Sequence, residues 1–227
     1  MKPKLIHVIG HGKIGARIVD YINGSPHFVL GRILTASGQP DSARLQDLLD
    51  APADLVIEAA GPKALRQTAL DCLAMCDLWS VGGAALADPE FLQEVDKISK
   101  QSGNQLRLFA PWAYGLDTAP LSTILSLKIT MARPGMETWQ GPLAKAARLF
   151  PNEVNFAVSA ALTGPGIDKT EIRFSPNNEK GTHQIKTVCE TEAGSITSSI
   201  EFKKDGRHPT ALSIIAALES LSQNIIS

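Results

Sequence analysis

The glycines near the start of the sequence have the spacing that binds a dinucleotide. An apolar run from Leu5 to Ile9 ends in a G-x-G-x-x-G turn, and an amphipathic segment follows at once. In a strand–turn–helix unit the first glycine permits the tight turn, the second lets a pyrophosphate approach the backbone, and the third lets helix and strand pack closely. The helix N-terminus adds unpaired N–H groups and a positive dipole end.

We therefore predict that every residue of this turn contacts the cofactor, with His11 using its backbone: Gly10, His11, Gly12, Lys13, Ile14 and Gly15. The alternative is a glycine-rich turn in an α/β protein that binds no nucleotide.

The segment that usually selects NAD over NADP has no acidic residue. The second predicted strand, His27 to Leu34, is followed by Thr35-Ala36-Ser37. In NAD-binding folds an Asp or Glu about 20 residues beyond the glycines binds the ribose hydroxyls. Thr35 or Ser37 could hydrogen-bond a ribose or a 2′-phosphate, and Arg32 or Arg44 could face a 2′-phosphate. Because the acidic residue is absent, we predict NAD or NADP as cofactor, with weak discrimination between them.

Strands and helices alternate through the first half of the chain. Further strands are predicted at 54–60, 77–81 and 106–110, and Asp88-Pro89 has the types expected of an N-cap and a first helical residue. This alternation is typical of a doubly wound parallel sheet of the Rossmann type, which we place at 1–117. Open α/β sheets bind ligands at the carboxyl ends of their strands. The residues predicted to contact the cofactor there are Ala60, Gly82, Gly83 and Ala84.

The second half has a different pattern. Predicted strands at 126–131, 170–174, 183–189 and 195–202 are joined by turns at 177–178 and 193–194, and helices are predicted over Leu143–Phe150 and Val154–Leu162. This pattern predicts an α+β domain over 118–207 with an antiparallel or mixed sheet, for substrate binding and dimerisation. A last amphipathic helix within 208–227, apolar at Leu212, Ile215, Leu218 and Leu221, is predicted to pack back on the first domain.

Composition excludes several classes of function. The 227 residues carry a formal net charge of −1 and no Lys/Arg run, so nothing indicates nucleic-acid binding. No apolar stretch is long enough to span a bilayer, and the first apolar run is predicted to be a strand and not a signal peptide. Cys72 and Cys76 are four residues apart with no second Cys/His pair to complete a metal site, and Cys189 lies far along the chain. All three are predicted to be buried free thiols in the cytoplasm.

Several phrases, in order and nearly end to end, resemble the L-aspartate dehydrogenase family. They are Val56–Ala64, Ser80–Asp88, Gly115-Leu116-Asp117, the stretch from Gly141-Pro142 to Asn155, and Thr182–Ile185. The resemblance implies NAD(P)-dependent oxidation of L-aspartate to iminoaspartate, a precursor of the nicotinamide ring, by a two-domain protein that is commonly a homodimer. It also implies that His183 lies near the substrate and is catalytic. The alternative for His183 is a hydrogen-bonded histidine on a strand.

The chain departs from the family pattern at several positions. Gly181 replaces an Asn two residues before His183, the segment 110–114 is bulkier, and 208–211 lacks an Asn and a Lys. We expect His208 and Asn155 to contact substrate. The alternative for His208 is a solvent-facing turn residue, and the alternative for Asn155 is a residue that caps or orders the start of the Val154–Leu162 helix. The departures leave room for a related small amino or oxo acid as substrate. They also leave room for a catalytically silent NAD(P)-binding sensor or scaffold, and no arginine is assigned to the substrate carboxylates.

Overall fold

The computed structural model describes residues 2–35, 45–110, 123–176, 182–202 and 208–222. The chain divides into two compact units, the first comprising 1–109 with 210–227 and the second 110–209. Four features discussed above lie outside the described residues: Ala36, Ser37 and Arg44 after the second predicted strand, Gly181, the predicted turn at 177–178, and the segment from 111 to 122, which holds the Gly-Leu-Asp phrase and the predicted domain boundary.

The first unit is a parallel five-stranded sheet in the order β2-β1-β3-β4-β5. Its strands are β1 (Lys4–Ile9), β2 (Phe28–Leu34), β3 (Leu55–Glu58), β4 (Asp77–Ser80) and β5 (Leu106–Leu108). Its helices are α1 (Lys13–Gly24), α2 (Leu45–Leu49), α3 (Pro62–Met75), α4 (Pro89–Ser102) and α7 (Pro209–Ser222). The predicted fold class is confirmed.

Local sequence explains where these elements begin. The side chain of Asp88 accepts hydrogen bonds from the N–H groups of Glu90 and Phe91, so it caps α4 as predicted. Every residue of β3 is buried, which suits a central strand of a parallel sheet. Because β1, β3 and β4 are parallel neighbours in the sheet, their carboxyl ends lie side by side, at the edge where the glycine turns follow them.

The apolar face predicted for the last helix is partly wrong. The structure buries Ala211, Ile214, Ala217 and Leu218 of α7, whereas Leu212 and Leu221 are exposed. Ile214, Ala217 and Leu218 belong to the same core cluster as residues of β1 and α1. The helix is apolar on more than one face, so periodicity alone did not identify the side that packs.

The second unit is a mixed sheet in the order β10-β9-β6-β8-β7. Its elements are β6 (Ile124–Arg133), β7 (Trp139–Pro142), α5 (Leu143–Leu149), α6 (Asn155–Leu162), β8 (Thr170–Pro176), β9 (Gln184–Thr191) and β10 (Gly194–Glu201). β6 and β8 are parallel and the other pairs are antiparallel. The sequence pattern did not predict β7. The strand predicted from His183 begins at Gln184, so His183 lies just before β9 and not inside it.

Cys72, Cys76 and Cys189 are buried free thiols, as predicted. Burial raises the pKa of the Cys72 thiol to about 12 and that of the Cys76 thiol to about 11, so both are protonated at neutral pH. Within the described ranges no group of His, Cys, Asp or Glu could hold a metal ion, and none of the helices there is long and apolar enough to cross a membrane.

Candidate active site

The glycine turn has the close contacts that its spacing predicts. Gly10 has a φ of +92°, and a Cβ there would lie 2.8 Å from the Cβ of Ala60. A Cβ at Gly15 would lie 1.9 Å from the carbonyl oxygen of Gly10, so only glycine lets α1 approach the turn this closely. At Gly12, in contrast, a Cβ would meet nothing within 4 Å among the described residues. The backbone at Gly12 is therefore open to an incoming group.

The start of α1 is suited to an anion. Gly12 is the N-cap without a side-chain hydrogen bond, and the first helical turn holds no acidic residue. His11, Gly12 and Lys13 are exposed, while Gly10 and Gly15 are buried. Exposed N–H groups at a helix N-terminus favour phosphate.

The other residues predicted to contact the cofactor lie along the same edge of the sheet. Gly10 N–H donates to the Leu34 carbonyl at 2.7 Å, which places Thr35 beside the turn. A Cβ at Gly82 would lie 2.8 Å from the Gly61 carbonyl carbon, so the turn after β4 touches the turn after β3. Ala60 is exposed, whereas Gly82, Gly83 and Ala84 are buried.

The hydroxyl group of Thr35 is unsatisfied by the described residues at this edge of the sheet. Its Oγ1 is buried and has no hydrogen-bond partner in the part of the chain that the structure describes. An unsatisfied buried hydroxyl costs free energy, and a ribose hydroxyl or a phosphate oxygen would satisfy it. Together with the open backbone at Gly12, it fits the sugar–phosphate part of a dinucleotide.

One buried carboxylate holds the turns after β3 and β4. Glu58 Oε1 accepts from the N–H groups of Ala60 and Gly61, both at 2.6 Å, and Oε2 accepts from Ser80 Oγ at 2.5 Å. Ser80 Oγ in turn accepts from Gly82 N–H at 2.9 Å. Burial raises the pKa of Glu58, while the hydrogen bonds from Ser80, Gly61 and Ala60 act in the opposite direction. Glu58 therefore shapes this edge without facing solvent.

Arg66 on α3 holds the next part of the chain. Its Nη1 pairs with Asp88 at 2.9 Å, and its Nη2 donates to the Ala85 carbonyl at 3.1 Å. Ala85 belongs to a short 3-10 helix, Gly83–Ala87, and Asp88 directly follows it. The turn after β4 is thus fixed at both ends, by Ser80 and by Arg66.

In the second unit His183 has an imidazole with an unused nitrogen. Its Nε2 is buried and lacks a hydrogen-bond partner among the described residues. The ring stacks on Phe202 with 4.4 Å between centroids and 9° between planes. Burial lowers the pKa of His183, as do the charges of Arg133 and His208, while Glu153 acts in the opposite direction. The imidazole is therefore neutral at neutral pH and able to accept a proton.

Arg133 and Glu153 form an ion pair near His183. Arg133 Nη2 lies 2.5 Å from Glu153 Oε1, and their side chains are 40% and 31% exposed. Composition and motif spacing did not single out either residue. Their proximity to His183 depends on how β6 pairs with β9 and on the turn before α6, and neither can be counted off from the sequence.

The two other predicted substrate contacts lie in the same unit. Asn155 is the first residue of α6, whose N-cap is Val154, so it is not itself the cap residue. His208 is exposed and directly precedes α7, and its positive charge lowers the pKa of His183.

Comparison with known proteins agrees with this architecture. The family profile described as "Homoserine dehydrogenase, NAD binding domain" matches residues 10–108, and that described as "Aspartate dehydrogenase, C-terminal" matches 115–223. An L-aspartate dehydrogenase of Ruegeria pomeroyi is 29% identical, over 94% of this chain and 90% of its own. An L-aspartate dehydrogenase of Methanosarcina barkeri is 28% identical, over 81% of this chain and 76% of its own. The crystal structure of aspartate dehydrogenase from Thermotoga maritima has a TM-score of 0.81 at 21% identity, covering 99% of both chains.

The fold, the glycine turn and these matches define the class of protein: the chain is an NAD(P)-dependent dehydrogenase of the amino-acid dehydrogenase type. The resemblance to the L-aspartate dehydrogenase family, predicted from five phrases of the sequence, is confirmed.

Proposed function

We propose that this protein oxidises L-aspartate to iminoaspartate with NAD or NADP, and that the product feeds synthesis of the nicotinamide ring. The observation that carries the proposal is the buried Nε2 of His183, which has no partner within the described residues. The names of the relatives in Ruegeria and Methanosarcina support aspartate as the substrate. We further propose a cytoplasmic homodimer, as the family resemblance implies.

The glycine turn and the neighbouring strand ends are the residues that would hold the cofactor. Backbone N–H groups of the Gly10–Gly15 turn would bind the pyrophosphate, and the Thr35 hydroxyl would bind the adenosine ribose or its phosphate. The backbone at Ala60 and at Gly82, Gly83 and Ala84 would contact the nicotinamide end. The bound cofactor supplies the hydride acceptor, so the chain itself must orient the substrate and handle its proton.

His183 would act as the base. Oxidation of an amine to an imine removes a hydride from carbon and a proton from nitrogen, and a neutral imidazole is a suitable acceptor for that proton. Burial lowers the pKa of His183 below its ordinary value of 6.5, which keeps the ring neutral at neutral pH. Asn155 and His208, in the same unit, would contact the substrate.

The test is a panel of small amino acids, L-aspartate included, assayed with NAD and with NADP at alkaline pH, where amines are deprotonated. We expect L-aspartate-dependent reduction of both cofactors and its loss in His183→Ala. His27→Ala is the control because His27 is an exposed histidine of the first unit. Full activity in His183→Ala would show that the role assigned to His183 is wrong.

The second candidate function is that of a catalytically silent NAD(P)-binding protein, which the same assay distinguishes. Such a protein would bind the cofactor tightly, and no amino acid would support reduction of NAD or NADP. The loss of the family's Asn at Gly181 favours this reading, because one amide able to bind ligand is absent.

A further inference from the structure

The ends of three strands place Phe202, His183 and Arg133 in one row. In the pairing of β6 with β9, Met131 lies opposite Ile185 and Ala132 lies opposite Gln184. Arg133 and His183 come next along the two strands, so they lie opposite each other. On the other side Glu201 pairs with Gln184, and Phe202 N–H donates to the His183 carbonyl at 2.8 Å. Residues directly opposite on neighbouring strands have side chains in contact range.

Arg133 and His183 also lie on the same face of the sheet. Side chains alternate between faces along a strand, so Arg133 shares the face of Met131, and His183 shares that of Ile185. Met131 and Ile185 are buried at 4% and 2% exposure, and Arg133 and His183 extend this face at its rim. A guanidinium is thus beside the imidazole that has a free nitrogen.

We propose that Arg133 binds the α-carboxylate of the amino-acid substrate, and that Glu153 is an internal carboxylate which the substrate displaces. This rests on the proposed function for the identity of the ligand. The carbon that loses hydride carries both the amine and the α-carboxylate, so a cation adjacent to the base meets that carboxylate when the amine faces His183. Arg is the side chain best suited to this, because its planar fork binds carboxylates bidentately.

The existing ion pair supports this assignment. The carboxylate of Glu153 already lies 2.5 Å from Nη2 of Arg133, which shows that the guanidinium binds a carboxylate in this position. A guanidinium has five N–H donors, and this contact engages Nη2. Both side chains are partly exposed, so an incoming carboxylate can reach the pair and exchange with Glu153.

The experiment uses succinate, a dicarboxylate that has no amine and cannot be oxidised, titrated calorimetrically into the full protein saturated with NAD. Arg133→Gln removes the charge, Arg133→Lys keeps the charge without the fork, and Glu153→Gln removes the competing carboxylate. Arg173→Gln is the matched control, because Arg173 is an exposed arginine of the neighbouring strand β8. The KM and kcat for L-aspartate and the Kd for NAD are measured on each variant.

We expect Arg133→Gln to raise the succinate Kd and the aspartate KM at least tenfold, with kcat and the Kd for NAD changed much less. The succinate Kd and the aspartate KM of Arg133→Lys should lie between those of Arg133→Gln and the wild type. Glu153→Gln should bind succinate more tightly than the wild type does. A purely structural role for Arg133 would affect NAD binding and succinate binding alike. If Arg133→Gln binds succinate as Arg173→Gln does, or if the wild type does not bind it, the inference is wrong.

The same data separate failure of this inference from failure of the proposed function. Turnover of aspartate with an unchanged KM in Arg133→Gln overturns the role of Arg133 and leaves the proposed activity standing. Succinate binding that depends on Arg133, in a protein that oxidises no amino acid, confirms the carboxylate site and overturns the proposed activity.

Discussion

Glu58 accepts a hydrogen bond from the Ser80 hydroxyl at 2.5 Å, so a buried carboxylate ties together the carboxyl ends of β3 and β4. The same carboxylate accepts from the N–H groups of Ala60 and Gly61, and the Ser80 hydroxyl accepts from Gly82 N–H. Two turns at the edge of the parallel sheet therefore depend on one side chain that does not reach solvent. The turns carry the residues proposed to contact the nicotinamide end of the cofactor.

Replacing Glu58 by Ala is expected to destabilise the first unit strongly. The change leaves the N–H groups of Ala60 and Gly61 and the Ser80 hydroxyl without their acceptor. Each buried unsatisfied group costs about 1–3 kcal/mol, so we expect a loss of at least ~3 kcal/mol in the free energy of unfolding. Amide hydrogen exchange of β3 and β4 during urea titration measures this for the first unit alone.

Glu58→Gln is the matched variant for this prediction. It keeps one carbonyl oxygen for Ala60 and Gly61 and offers an N–H to Ser80 Oγ, so a much smaller loss is expected. Equal losses for Glu58→Ala and Glu58→Gln would mean that the charge matters, and not the number of satisfied donors.

Gly12→Ala is expected to weaken cofactor binding while the fold is retained. Gly12 has a φ of −84°, which any residue adopts, and its Cβ would meet nothing within 4 Å in the described part of the chain. The methyl group would instead occupy the space through which a pyrophosphate approaches the backbone. We expect the Kd for NAD to rise at least tenfold, measured by calorimetry.

Gly24→Ala is the control for that change, because Gly24 is equally open and lies at the other end of α1. It should leave the Kd for NAD unchanged. A Gly12→Ala variant that binds NAD as the wild type does would indicate that the pyrophosphate does not approach this turn.

Thr35→Asp is expected to create a preference for NAD. Thr35 follows β2 at the position where an acidic residue usually binds ribose hydroxyls, and its own Oγ1 lacks a partner in the described residues. A carboxylate there accepts from the 2′-hydroxyl of NAD and repels the 2′-phosphate of NADP. We expect the ratio of the NADP Kd to the NAD Kd to rise at least tenfold.

Thr35→Asn is the matched variant, because the Asn side chain has nearly the size of Asp but carries no charge. It should leave the ratio of the NADP Kd to the NAD Kd close to the wild-type value. If both variants change the ratio equally, the effect comes from shape and not from charge. A large preference for NAD in the wild type itself would contradict the weak discrimination predicted from the absence of an acidic residue after the second strand.

The sequence predicted the parallel sheet better than the second unit, for a physical reason. Gly10 and Gly15 allow a turn and a close helix–strand contact that other residues cannot make, and Asp88-Pro89 caps and begins a helix. The elements that these residues bound can therefore be recognised from neighbouring residues. β7 is only four residues long, Trp139–Pro142, and contains a glycine and a proline, which are depleted in strands. It forms because it pairs with β8, which is a tertiary contact.

The same distinction applies to the site. His183 is predicted from a local phrase of the sequence, Thr182–Ile185. Arg133 was not identified, because its place beside His183 follows from the register of β6 against β9, across about fifty residues of chain. Register depends on which faces are buried, and the pattern of one strand does not specify its partner.

His7 is expected to make the first unit less stable in acid. It is 1% exposed on β1, with Nδ1 accepting from Arg32 N–H at 3.0 Å and Nε2 lying 3.4 Å from the Ala51 carbonyl oxygen. These partners require a neutral ring with its proton on Nε2, since a proton on Nδ1 would face the N–H of Arg32. Burial accordingly lowers the pKa of His7 from its ordinary value of 6.5.

Because the folded-state pKa is below the unfolded one, the native state binds this proton less tightly than the unfolded chain. The stability that depends on the neutral ring is complete above pH 6.5 and is lost as the pH falls toward the folded-state pKa. The loss from one such group is at most about 1.4 kcal/mol per pH unit. His7→Asn should remove this dependence, because Asn Oδ1 can accept from Arg32 N–H and does not titrate.

Amide hydrogen exchange of β1 and β2, at about pH 7.5 and about pH 5 after correction for the intrinsic exchange rate, measures the effect in the first unit. The wild type should lose more opening free energy on acidification than His7→Asn. His183, whose pKa is also lowered by burial, is present in both proteins, so its contribution cancels in the comparison. Parallel losses in the two proteins would mean that His7 does not cause the acid sensitivity.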